Sequence, residues 1–303
     1  MRRRRASRKP HPAILIFLCL AILALIGFCA VCIQLVRGSL TAATQPEPVI
    51  QQESDDTQTD ADSDSSEDRW GQMQENIAVN NYSETAFSSE NGIISYSSES
   101  VQALQGIDVS AHNGEIDWAA VREDGIDFAI LQVGYRGYVT GALAADAAFY
   151  TNADGATSSG ISIGAYFFSQ ALSVEEAEEE AQYVVELLSG MHLDWPVFFD
   201  WEPVEDDART NEVDTELLTS FANAFCSILE EAGFQAGIYF NQELGYLHYN
   251  LSELEDYDFW LAEYSEIPTF YYHFEHWQYS SSGTVSGIST SVDRVLSFRD
   301  YRP

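Results

Sequence analysis

Lysine is absent from residues 101–303, and only six arginines stand there against a large excess of aspartate and glutamate; the whole 303-residue chain carries a formal net charge of -34. A surface without a basic patch cannot displace counterions from phosphates, so nucleic acid is excluded as a partner of this region. Cysteine is nearly as scarce. Of the four, Cys19, Cys29 and Cys32 sit in an apolar run near the amino terminus and Cys226 stands alone, which rules out a disulfide or a cysteine metal site within residues 101–303. No glycine-rich dinucleotide or phosphate loop follows any apolar segment. There is no His-Glu-x-x-His pair, and "HFEH" puts His273 and His276 on opposite faces of a strand. The expectation is a protein without metal or cofactor.

What is present divides the chain into unlike parts. Residues 1–12 hold six of the fourteen basic residues, and residues 13–36, "AILIFLCLAILALIGFCAVCIQLV", carry no charge. Such a run is long enough to cross a bilayer, and the flanking charges predict a cytoplasmic amino terminus with the remainder outside the cell membrane. A secretory signal cleaved near Ala43 is the competing reading. Residues 37–100 turn to Ser, Asp, Glu, Gln and Thr, which predicts a disordered acidic linker, because little there can offset the entropy of ordering.

Residues 101–303 are rich in aromatic and β-branched residues, enough for one real core. Strand-like runs at residues 105–110, 126–135, 161–169, 195–202 and 235–240 alternate with helical patterns at 117–124, 142–159, 174–188 and 215–232. Three further runs, at 258–264, 275–280 and 291–295, follow with little helix between them. This α/β order predicts a closed, parallel-rich, irregular TIM-like (β/α)5(β)3 barrel, with an open doubly wound sheet as the alternative. The domain is expected to act as a monomer.

The stretch "PVFFDWEP" ends one strand on Asp200 and Glu202. Alternate residues of a strand share a face, so both carboxylates point together, toward the mouth where barrel enzymes keep their chemistry. Asp108 ends the first strand and Asp293 lies in the last. Four acids in one pocket repel, and burial raises at least one pKa further, as a glycosidase acid requires. Tyr135, Tyr166, Tyr239, Trp260, Tyr264 and Trp277 are expected to rim the pocket, where aromatic faces suit sugar rings. Arg136 reads equally as a substrate contact or as a charge partner, and Glu263 as a structural or solvated acid.

In order along the chain, "GIDVSAHNGEIDW", "FAILQVGYRG", "GAYFFSQALSVEEAEEEA", "PVFFDWEP", "GIYFN", "FWLAEY" and "HWQYSSSGTVSGISTSVDRV" resemble the successive blocks of glycoside hydrolase family 25, the lysozymes or N-acetylmuramidases. The resemblance implies the barrel above and hydrolysis of the β-1,4 bond between N-acetylmuramic acid and N-acetylglucosamine in peptidoglycan glycan strands. It also implies that Glu202 is the general acid, that Asp200 orients a participating 2-acetamido group, and that Asp108 and Asp293 complete the acidic cluster. A non-catalytic peptidoglycan-binding module on a membrane stalk is the rival reading.

Overall fold

The computed structural model describes Trp70 and residues 73–204, 208–211 and 213–302. The basic tail 1–12, the apolar run 13–36 and the linker up to residue 69 lie outside these residues. Among the described residues, no helix is long and apolar enough to cross a membrane.

The first folded element corrects the expected linker boundary. Residues 73–100 pack onto the rest of the domain, with an antiparallel hairpin formed by β1 (Phe87–Glu90) and β2 (Ile93–Tyr96). Asn91 and Gly92, both at positive φ, make its turn, where two left-handed residues suit the strand twist. Ile94 and Tyr96 are buried on alternate positions of β2. Tyr82 stacks on Phe298 at 4.0 Å and Phe87 meets Trp277 edge-on at 5.7 Å. Upstream, Gln74 bonds to the carbonyls of Gly245 and Tyr249 and to the Leu251 amide. Composition misled because a few apolar residues, well placed against an existing surface, suffice to order a serine-rich segment.

The barrel begins with β3 (Leu104–Val109), followed by α1 (Trp118–Glu123), β4 (Phe128–Arg136), β5 (Leu143–Ala145), α2 (Phe149–Ser158), β6 (Ser162–Ser169), α3 (Val174–Leu187) and β7 (Val197–Trp201). It continues through α4 (Leu218–Glu231), β8 (Ala236–Asn241), β9 (Asp258–Ala262), β10 (His276–Gly283) and β11 (Val292–Ser297). The pairing order β3-β4-β6-β7-β8-β9-β10-β11, closed by β11 on β3, makes an eight-stranded barrel among the described residues. Its strands are parallel except β11, which is antiparallel to both neighbours. Ser173 caps α3, its Oγ accepting from the Glu176 amide.

Two details depart from expectation. Residues 143–145 pair with the end of β4 instead of starting a helix, because β4 runs past β3 and leaves backbone groups to satisfy. Between β8 and β9 the expected fifth helical unit is reduced to a π-helical turn, Leu244–His248, and a short 3-10 turn, Leu251–Glu253.

Inside the barrel, Phe128, Ile130, Trp195, Phe198, Tyr239, Trp260 and Val295 form one cluster, while Ile107, Leu131, Phe167, Phe199 and Ile238 pack outward in the larger core that includes α2, α3 and α4. Glycine makes room for the interior rings. A Cβ at Gly106 would collide with Phe128, and one at Gly237 with Phe198. The interior rings thus fill the lower barrel, which leaves the carboxyl ends of the strands as the place for a site.

Candidate active site

The alternation along β7 explains where the acids go. Val197, Phe199 and Trp201 belong to the outer core and Phe198 to the interior cluster, so Asp200 turns inward and Glu202 follows it at the rim. The strand end is held on both sides. Trp201 Nε1 donates to the Ala171 carbonyl at 3.2 Å, and Gln170 Nε2 donates to the Glu202 carbonyl at 2.8 Å. Thr210 Oγ1 in turn donates to Gln170 Oε1 at 2.8 Å.

Across the barrel, Asp108 and Asp293 are direct Cα partners on β3 and β11. Gln278 of β10 joins them: its Nε2 donates to Asp108 Oδ2 at 3.2 Å and to Asp293 Oδ2 at 3.3 Å. The hydroxyls of Tyr239 and Tyr264 donate to Gln278 Oε1 at 3.0 and 2.9 Å. Tyr166 bonds to Asp108, and Tyr239 also reaches Glu202. Asp108, Asp200, Glu202 and Asp293 therefore surround one mouth.

Burial and mutual repulsion set their protonation. Burial, then the Asp293 charge, pushes the Glu202 carboxyl up to about 7. Burial also lifts Asp293 to about 7. Asp200 and Asp108 are raised well above the usual carboxylate range, first by burial, then by Glu202 beside Asp200 and by Asp293 beside Asp108. Asp200 Oδ1 is buried and has no hydrogen-bond partner among the described residues. A buried acceptor left unpaired in a native fold calls for an explanation, and a donor brought by a ligand supplies one.

The aromatic rim is only partly as expected. Tyr166, Tyr239 and Tyr264 join the network at the mouth. Trp260, a register partner of Tyr239, is 1% exposed and belongs to the interior packing below. Trp277 points the other way: it lies in the outer core, fully buried, with Nε1 donating to the Glu263 carbonyl at 2.7 Å. The inward residue of this pair is Gln278, which aromatic content alone did not single out.

Arg136 does not reach the pocket. A register shift between Gln132 and Gly134 reverses the alternation of β4, so Arg136 faces α3 and leaves Tyr135 on the opposite face, toward the mouth. There Arg136 Nε bonds Glu180 Oε1 at 2.6 Å and Nη2 bonds Glu179 Oε2 at 2.9 Å. It is a charge partner, but of helix acids rather than of the acidic mouth. Glu263 is structural, accepting from the Thr269 and Phe270 amides.

Beyond β7 and β8, Pro203, Thr210, Asn211, Asn241, Glu243 and His248 line part of a cavity of about 410 Å³. Trp201 and Pro203 both belong to its wall, so it adjoins the strand end that carries Glu202.

Residues 107–288 match Glycosyl hydrolases family 25. The match includes Asp108, Asp200, Glu202 and Gln278 and stops short of Asp293. An autolytic lysozyme of Clostridium acetobutylicum is 27% identical over 191 residues, covering 63% of this chain and 54% of that protein. Lysozyme M1 of Streptomyces globisporus is 26% identical over 204 residues, covering 63% and 66%. The chain thus spans between about half and two thirds of the length of these relatives. Among solved structures, the modular autolysin LytC from Streptococcus pneumoniae superposes with a TM-score of 0.57 at 27% identity, covering 70% of this chain and 52% of that one. LytC has also been solved in complex with a synthetic peptidoglycan ligand. A family 25 glycosyl hydrolase from Bacillus anthracis, at 20% identity and a TM-score of 0.53, shares the fold.

Proposed function

Since the chain belongs to glycosyl hydrolase family 25, we propose that it is a lysozyme that cleaves the β-1,4 bond between N-acetylmuramic acid and N-acetylglucosamine. The names of its relatives and the peptidoglycan complex of LytC support this substrate. The observation that carries the reading is the pair at the end of β7: a Glu202 carboxyl pushed up to about 7 beside an Asp200 oxygen without a partner.

In this reading, protonated Glu202 donates to the leaving glycosidic oxygen. Positive charge grows at the anomeric carbon and draws the surrounding carboxyl groups toward their ionised form, which stabilises it. Asp200 Oδ1 accepts the N–H of the substrate 2-acetamido group, which orients and polarises its carbonyl oxygen for attack on the anomeric carbon. Water then opens the resulting ring, with Glu202 taking back a proton. Tyr166, Tyr239 and Tyr264 present ring faces and hydroxyls to the sugar.

The same proposal includes a membrane tether. Residues 13–36 supply an uncharged run of spanning length, and the basic residues before it favour a cytoplasmic amino terminus. Tethering restricts the barrel to nearby glycan strands and raises its concentration there, which suits remodelling of the cell's own wall. Fractionation of producing cells tests this part: protein in the membrane pellet supports it, and protein free in the medium with a new terminus near Ala43 contradicts it.

Clearing of a peptidoglycan suspension by the full chain, compared with Glu202→Gln, tests the activity. Loss of at least about 10²-fold in rate is expected for removal of a general acid. A folded wild type that binds peptidoglycan without clearing it supports the binding-module reading instead.

A further inference from the structure

At the mouth, Gln278 bonds to four other side chains, Asp108, Asp293, Tyr239 and Tyr264. It is 2% exposed and uses its whole hydrogen-bonding capacity there: two N–H groups go to two carboxylates, and two lone pairs of one oxygen accept from two phenols. Those partners fix the amide's direction. Turned over, its oxygen would face two carboxyl oxygens, and an ionised one offers no donor.

The direction propagates. The Tyr239 hydroxyl has a single hydrogen and lies within reach of both Gln278 Oε1 and Glu202. When Gln278 takes that hydrogen, Tyr239 turns a lone pair toward Glu202 and can accept the acid's own proton. The carboxyl oxygens of Asp108 and Asp293 accept from the amide and orient it, the amide orients the phenol, and a phenol committed to Gln278 withholds from Glu202 a hydrogen bond that would lower its carboxyl. The proton order thus runs across the barrel from β11 and β3, through β10 and β8, to the end of β7.

We propose that Gln278 is a positioning residue for the glycosidic cleavage proposed above, setting the direction of hydrogen bonds through the mouth so that Glu202 holds its proton until the substrate takes it. The inference rests on that reading for its consequence but on the network for its geometry. Facing the same space are the acids Asp108, Asp200, Glu202 and Asp293 from three strands, together with Tyr166 from β6 and Tyr264 from the segment after β9. The nearest arginines are engaged elsewhere, Arg136 with Glu179 and Glu180 and Arg209 with Glu176.

Replacing Gln278 with methionine keeps length and flexibility and removes every polar atom. Two effects then act in one direction: Tyr239 is free to donate to ionised Glu202, and Asp293 loses an amide that supports its charge, which otherwise lifts Glu202. For Gln278→Met in the full chain, the expected result is a kcat lower by about 10- to 100-fold, with KM nearly unchanged. The alkaline limb of the pH profile moves about one pH unit lower. Gln278→Asn, which withdraws the amide by one methylene but keeps polarity, is expected to move the limb the same way and serves if the methionine variant fails to fold. Activity lost in proportion to the folded fraction, with the limb unmoved, overturns the role. Carboxyl NMR titration of Glu202 in wild type and variant needs no substrate. If wild type is inactive on peptidoglycan, the lysozyme reading falls, while an unmoved Glu202 titration is what overturns the role of Gln278.

Discussion

Asp108 and Asp293 stand opposite each other in register across the antiparallel pair of β3 and β11, bridged by the amide of Gln278. Two carboxylates on adjacent strands repel, so their placement costs stability that a structural role would not require. That cost is the clearest sign that the mouth is built for chemistry.

The first prediction concerns stability and pH. Glu202 is raised to about 7 in the fold from an ordinary value of 4.5. A carboxyl raised by folding favours the native state while protonated, so its contribution is fully present below about pH 4.5 and is lost as pH rises through about 7. Glu202→Gln removes the penalty. At pH 8 the variant is expected to be more stable than wild type by about 3 kcal/mol, and at pH 4 nearly equal. Urea unfolding at the two pH values checks this; a gain that is the same at both contradicts it.

Activity should follow the same group. If Glu202 donates the proton, kcat falls above pH 7 as the acid ionises. The profile of kcat for the full chain, measured between pH 4 and 9, is expected to have its alkaline limb near 7. A rate still rising at pH 9 would assign the proton to another group.

Arg136 separates two roles by the kind of loss. Glu180 is fully buried and bonded to both Arg136 and Ser169. Removing the cation leaves a buried acid without its charge partner, so Arg136→Ala is expected to cost about 3–5 kcal/mol in stability. KM of the remaining folded enzyme should be unchanged. A higher KM with full stability would place Arg136 on the substrate.

The hairpin ahead of the barrel is predicted to be part of the folding unit. Tyr96 is 4% exposed and packs on Tyr82, Phe87 and Phe298. Tyr96→Ala is expected to cost about 3 kcal/mol. Starting the chain at residue 101 should cost more, because Phe298 and Trp277 lose their cover. Equal unfolding midpoints for the two lengths would show the hairpin to be dispensable.

The parts of this architecture that were legible follow simple periodicities. Alternation along "PVFFDWEP" is enough to put Asp200 and Glu202 on one face, and the uninterrupted apolar runs point to strands buried on both sides. Where the period breaks, sequence reasoning loses the face. The register shift near Gly134 reverses Arg136, and it lies in the pairing of β4 with β6, a relation between strands that no local pattern records. In β10 the outer core takes Trp277 while the mouth receives Gln278, a phase that the aromatic content of the strand does not reveal. The hairpin had a local signal, the Asn-Gly of "SENGIISY", hidden by the acidic, serine-rich composition on either side.

The central claim is that Glu202 drives cleavage on the muramic acid side of the glycosidic bond, and end-group analysis tests it most directly. Peptidoglycan is digested with the full chain, the fragments are reduced with borohydride, and the reduced sugar is identified by mass spectrometry. Fragments ending in muramitol, absent from a digest with folded Glu202→Gln, are the predicted result. Fragments ending in reduced glucosamine, or muramitol ends that persist in the variant, would contradict it.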